Sequence, residues 1–234
     1  MSQPAANARA EILGRIADAA ARSGRDPSDV VVVAVSKTVD AARVAEAAAA
    51  GWDTFGENRV QERAAKAGAL AQVRADWHLI GPLQSNKARK AVELFDVIES
   101  VDSVDLARRL DRIAAELRPG KPLPVLLQVN VDDDPAKAGF EPDVLERGLA
   151  AIVELPSLRV DGLMTVGRLV DRADAARPTF AALRSLSERL RAAEDRLGSA
   201  LSMGMSEDYA VAVEEGATIV RIGRAIFGDR PPAA

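Results

Sequence analysis

Lysine is scarce in this chain: six lysines stand against 25 arginines, so arginine is the ordinary surface cation. Lys37 is set apart further by its place, directly after the run Val31-Val32-Val33-Ala34-Val35-Ser36. A strand of that kind would deliver the lysine to a partly buried mouth. Loss of solvation there disfavours the ammonium, lowers its pKa and favours Schiff-base chemistry with an aldehyde. A solvated lysine at a strand end is the alternative, and the residue alone leaves both open. Arg221 poses a similar question inside Ile219-Val220-Arg221-Ile222. A buried cation needs a partner, either a carboxylate in the core or a polar group of a ligand. His78, in Trp77-His78-Leu79-Ile80, reads more readily as a satisfied core histidine than as a site residue. Two glycine turns complete the set. Gly204-Met205-Ser206-Glu207-Asp208 reads as a strand end, a turn and a helix N-terminus with Ser206 as N-cap, and Gly223-Arg224-Ala225 follows a further apolar run. Backbone N–H groups at such turns can hold a phosphate, although capping alone is the commoner fate of such a serine.

Composition removes several other chemistries. With no cysteine there is no disulfide, thiol catalysis or thiolate-bound metal, and one histidine rules out a multi-histidine metal site. No metal site is therefore expected, and most versions of a nucleophile–His–acid triad are removed unless His78 is the base; no catalytic residue is assigned. A net charge of -4 argues against nucleic acid or an anionic membrane as partner. The first 26 residues mix acids and arginines without a continuous apolar stretch, and no apolar run reaches the length of a membrane span, so a soluble cytoplasmic protein is expected.

The elements that must position these residues follow from periodicity. Strand-type runs occupy 31–36, 54–56, 77–81, 97–101, 125–130, 159–166, 201–204 and 219–223. Between them lie helical stretches such as 41–50, 88–94 and 175–197, and an amphipathic segment over 5–23 precedes the first strand. Eight alternating units predict parallel strands joined by right-handed crossovers, hence a single α/β domain over 1–234 built as a closed (β/α)8 TIM-type barrel with an extra N-terminal helix. An open doubly wound sheet is the runner-up, but no G-x-G-x-x-G follows the first strand. The tail 231–234 is expected to be disordered. In such a barrel, function collects at the C-terminal strand ends, where this chain offers Lys37, Asn58, His78, Gln128, Lys137, Thr165, Ser206 and Arg221.

Seven motifs in order then carry a resemblance. AVSKT at 34–38, FGENRVQE at 55–62, WHLIGPLQSNKAR at 77–89, KAGF at 137–140, GLMT at 162–165, SMGMSEDY at 202–209 and VRIGRAIFG at 220–228 together resemble the pyridoxal-phosphate homeostasis proteins (the YggS/PROSC, or PLP-binding protein, family). The match spans essentially the whole chain. It implies a fold similar to the N-terminal barrel of alanine racemase and pyridoxal 5′-phosphate (PLP) as an internal aldimine on Lys37. It further implies that Ser206, Gly223 and Arg224 hold the phosphate, the last two through backbone amides, that Arg221 faces the pyridine nitrogen, and that Asn58 lies beside the cofactor. Some relatives carry Thr where this chain has Arg224, so a hydroxyl contact is either lost or replaced by the guanidinium.

Three functions compete: a PLP carrier of vitamin B6 homeostasis, a PLP-dependent amino-acid racemase, and a cofactor-free Schiff-base aldolase. An aldolase has no need of a phosphate cradle plus an arginine inside the barrel. A racemase needs a second proton-transfer group on the opposite face of the substrate. In the racemases that the chain resembles, that group is a tyrosine and a β domain completes the site. The single tyrosine here, Tyr209, follows the Ser206 turn, and no sequence is left over for a second domain. The reading is a carrier with little or no turnover, expected to be a monomer, with PLP-dependent apoenzymes as candidate recipients.

Overall fold

The computed structural model describes residues 3–168 and 170–228. Eight strands form one closed parallel barrel in sequence order, the last paired with the first. They are β1 (Val31–Val35), β2 (Thr54–Glu57), β3 (Asp76–Leu79), β4 (Val97–Val101), β5 (Leu123–Gln128), β6 (Leu158–Met164), β7 (Ala200–Ser202) and β8 (Ile219–Ile222). The helices are α1 (Gln3–Arg22), α2 (Ala41–Ala49), α3 (Val60–Lys66), α4 (Ala88–Leu94), α5 (Val104–Leu117), α6 (Pro142–Val153), α7 (Arg177–Ala193), α8 (Tyr209–Glu214) and α9 (Arg224–Phe227). This is the barrel that the alternation of runs predicts. The fifth strand begins two residues earlier than expected because Pro124 sits second in it, where a missing N–H is tolerated.

Two of the helices start where an apolar stripe meets a capping side chain. Ser103 accepts the Leu106 N–H at 3.3 Å to start α5, whose Leu106, Ala107, Leu110 and Ala114 are buried against the strands. Asp40 does the same for α2, accepting the Arg43 N–H at 2.9 Å. Most of the apolar core lies between strands and helices, with Phe55 stacked on Trp77 at 5.3 Å between ring centroids. Val33, Val35, Leu126 and Met164 are buried apart from that cluster and line the inside of the barrel. Ile12, Ile16, Ala19 and Ala20 bury α1 against α2, α8 and α9, across the seam between the first and last barrel units. The tail 231–234 lies outside the described residues. Among the described residues, no helix is long and apolar enough to cross a membrane.

Candidate functional site

Barrel closure makes neighbours of residues far apart in sequence. Val33 pairs with Arg221 and Ala34 with Ile222, while Val35 pairs with Gly56. The register carries Lys37 between Asn58 at the end of β2 and the Gly223–Arg224 turn at the end of β8. Val33 and Val35 are buried inside the barrel, and Lys37 stands in the turn that follows them. A Cβ built on Gly223 would stand 3.4 Å from the Val35 carbonyl oxygen, which shows how closely this turn lies against β1. Gly81 serves Asn58 in the same way, since a Cβ there would come within 2.3 Å of the Asn58 carbonyl. Lys37 is half-buried.

The backbone around Lys37 is clamped from outside the barrel by α3. Lys66 Nζ donates to the Ser36 carbonyl at 2.8 Å and to Glu57 Oε1 at 2.7 Å, and Ser36 Oγ donates to the same Glu57 oxygen at 2.8 Å. Glu62 Oε2 accepts the Thr38 N–H at 3.1 Å. Thr38 has φ 63, a left-handed conformation uncommon for a β-branched residue. The two residues flanking Lys37 are thus both tied to α3. Burial drives the fully buried Glu57 carboxyl above its ordinary pKa, against the opposing pull of Lys66 and Ser36.

Ser206 does not cap a helix, contrary to expectation. The turn over 206–208 intervenes and α8 starts at Tyr209 with Asp208 before it. Asp208 instead reaches back to accept the Met205 N–H at 2.6 Å, so the acid closes the turn and the serine is left to face the next loop. Ser206 Oγ accepts the Gly223 N–H at 3.3 Å, joining the loops after β7 and β8. Gly204 permits this path with φ +91, where a Cβ would stand 2.5 Å from that of Ala212. The Arg224 guanidinium turns to Glu207 at 2.9 Å, and both side chains are exposed.

Inside the barrel lies a polar chain that the sequence reading did not assemble. Arg221 NH1 meets Ser202 Oγ at 2.5 Å and NH2 donates to the Thr165 carbonyl at 2.7 Å. Ser202 Oγ is also 2.5 Å from Glu99 Oε2, and His78 Nδ1 is 2.6 Å from Glu99 Oε1. Burial lowers the Arg221 pKa against the opposing charges of Glu99 and Asp208. The Glu99 carboxyl would be raised by burial, but His78, Arg221 and Ser202 bring it below its ordinary value. His78 is thus a satisfied core histidine, as expected, and Arg221 has its carboxylate, with Glu99 Oε2 4.0 Å away. Glu99 was missed although the signal was available: an acid within Val97-Ile98-Glu99-Ser100-Val101 raises the same question as an arginine within β8.

Two other residues lie away from this constellation. Tyr209 is buried under α1, with the Arg15 guanidinium 5.1 Å from its ring centroid. Lys137 sits in the loop after β5 with Asp132 and Asp134 each 3.7 Å from its Nζ.

Comparisons with known proteins show the family and the fold. The family model "Alanine racemase, N-terminal domain" matches residues 13–231. A pyridoxal phosphate homeostasis protein of Pseudomonas aeruginosa is 45% identical over 223 residues, covering 94% of each chain. The chain belongs to the pyridoxal phosphate homeostasis proteins. Among solved structures, PipY of Synechococcus elongatus, described with PLP bound, is 45% identical, with a TM-score of 0.81 over 91% of this chain and 100% of that one. An alanine racemase of Clostridium difficile shares the fold at 15% identity, with a TM-score of 0.71 over 94% of this chain and 60% of the racemase.

Proposed function

We propose that this pyridoxal phosphate homeostasis protein binds PLP covalently through Lys37 and acts as a carrier with little or no turnover. The observation that carries the reading is the convergence, by strand register, of a half-buried lysine just past β1, a bridged pair of turns and a buried arginine on one end of the barrel. The residues fit the cofactor. The Gly223 and Arg224 backbone amides and the Ser206 hydroxyl suit a phosphate, and Arg221 suits an unprotonated pyridine nitrogen. Asn58 borders the lysine, and Arg224 contributes its backbone because its guanidinium is engaged with Glu207. When bound, PLP supplies an aldehyde that captures amines and a ring that withdraws electrons. An arginine at the ring nitrogen leaves that ring a poor electron sink. Tyr209, the side chain a racemase reading would need, is packed beneath α1. The proposal takes 1–234 as one PLP-binding barrel, monomeric, working in the cytoplasm and delivering cofactor to PLP-dependent apoenzymes.

Absorbance of the purified protein with and without added PLP tests the binding. A visible band that borohydride abolishes is expected, and its absence would overturn the reading. Enantiomer ratios of L-alanine and other amino acids, followed over time with PLP-loaded protein, test the lack of turnover. Sustained conversion at about 1 s⁻¹ or faster would restore the racemase.

A further inference from the structure

The polar chain inside the barrel has a direction that atom chemistry fixes. A serine hydroxyl carries one proton, and an ionised carboxylate can only accept. Ser202 Oγ lies 2.5 Å from Glu99 Oε2, and the charge of Arg221 and the bonds from His78 and Ser202 favour the ionised form of that buried acid. The hydroxyl proton therefore goes to Glu99, and Oγ offers its lone pair to Arg221 NH1 at 2.5 Å. At the other end His78 Nδ1 must carry a proton, because it lies 2.6 Å from the second Glu99 oxygen. Four strands are tied in this way: β3 by His78, β4 by Glu99, β7 by Ser202 and β8 by Arg221. The Thr165 carbonyl takes the other terminal nitrogen of the guanidinium from the end of β6. His78, Glu99, Ser202 and Arg221 are all buried. Two of the five guanidinium N–H donors are spent on these anchors, and both terminal nitrogens are pinned, so the plane of Arg221 cannot rotate without breaking a bond to a buried group.

We propose that His78, Glu99 and Ser202 are positioning residues for recognition of an aromatic ring nitrogen: they form a one-way hydrogen-bond relay that fixes Arg221 as a donor and so selects a ligand whose nitrogen has a free lone pair. This rests on the reading that PLP is held here. None of the three needs to touch the ligand. Glu99 balances the guanidinium charge, Ser202 orients it, and His78 holds Glu99 in place. A relay of this kind makes the ring-nitrogen contact depend on a histidine on the opposite side of the barrel.

The test compares PLP with 1-deaza-PLP, in which C–H replaces the ring nitrogen. In Ser202→Ala the affinity for PLP should fall about tenfold or more, the range for a hydrogen bond to a charged group, while that for 1-deaza-PLP should change less than about twofold. Glu99→Gln should show the same asymmetry. Equal losses for both ligands would overturn the relay and leave the cofactor reading intact. Failure of the unmutated protein to bind PLP would overturn that reading and the relay together. An arm independent of mutant folding uses the fact that His78 is the only histidine. With ¹⁵N-histidine labelling, one imidazole is observed, expected to be protonated at Nδ1. Its signals should move on addition of PLP and stay in place with 1-deaza-PLP. Signals that move with both ligands, or with neither, would overturn the relay.

Discussion

Lys37 and Lys137 separate two kinds of lysine on one barrel mouth. Lys137 is held between two carboxylates, Asp132 and Asp134, each 3.7 Å from its Nζ. Lys37 is flanked by backbone tied to α3. Lys37→Ala is therefore expected to abolish covalent retention of PLP while leaving the fold intact. Borohydride reduction, digestion and mass spectrometry on the parent should find the pyridoxyl group on Lys37, and its recovery mainly on Lys137 would reverse the assignment. Arg221 carries a different expectation. Arg221→Met leaves Glu99 facing only His78 and Ser202, and breaking a buried ion pair typically costs about 3–5 kcal/mol. Urea unfolding of the two proteins checks it, and an unchanged midpoint would show that the arginine serves the ligand and not the barrel.

The α3 helix is short, yet its bonds converge on the residues either side of Lys37. Lys66→Met should leave Glu57 buried without its counter-charge and bonded only to Ser36, at a cost of about 3–5 kcal/mol. It should also loosen the Ser36 carbonyl, so PLP is expected to be retained less well than the lost stability alone would produce at low temperature. Retention measured well below the melting transition separates the two effects, and unchanged retention there would remove α3 from the site. The turn at Gly204 makes a matching case. Gly204→Ala combines an unfavourable φ with a 2.5 Å approach to Ala212, and strain of this kind costs about 1–3 kcal/mol. Because Ser206 follows two residues later, the affinity for pyridoxine 5′-phosphate, which lacks the aldehyde, should drop with the melting temperature. A normal affinity would show that the phosphate is held elsewhere.

Buried carboxylates set how the barrel as a unit responds to pH. Glu99 is held below its ordinary pKa when folded, so between its folded value and the ordinary glutamate value the unfolded chain binds more protons. Its contribution is present above the ordinary value and is lost as pH falls through the folded one. Glu57, raised by burial, acts in the opposite sense: stability declines as pH rises above the ordinary value. Melting temperatures from pH 7 to 3 should fall less steeply in Glu99→Gln than in the parent, from a lower starting point. Parallel curves would place the acid sensitivity on other groups. We propose that the protein is a monomer; the exposed large hydrophobics among the described residues are Val31 and Val144. Sedimentation equilibrium of the PLP-loaded protein checks it.

Strand periodicity and the spacing of apolar runs were enough to read eight β/α units, because each strand of a parallel barrel is buried on both faces and shows as a short, nearly continuous apolar run. The same logic found Lys37 and Arg221, since a charge at the end of such a run, or within it, is conspicuous in sequence. The partners of these residues were not legible. Glu99 and Ser202 meet Arg221 across 122 and 19 positions (221 − 99 and 221 − 202), the first across the barrel interior and the second through the pairing of β7 with β8, and not through any local pattern. The role of Ser206 went astray for a related reason. Local chemistry makes a serine before Glu207 and Asp208 a plausible N-cap, but Asp208 took the Met205 N–H and the loop after β8 brought the Gly223 N–H to the serine. Hydrophobic pattern fixes where the strands lie. Which inward residues touch depends on register and closure, which are long-range properties of the folded sheet.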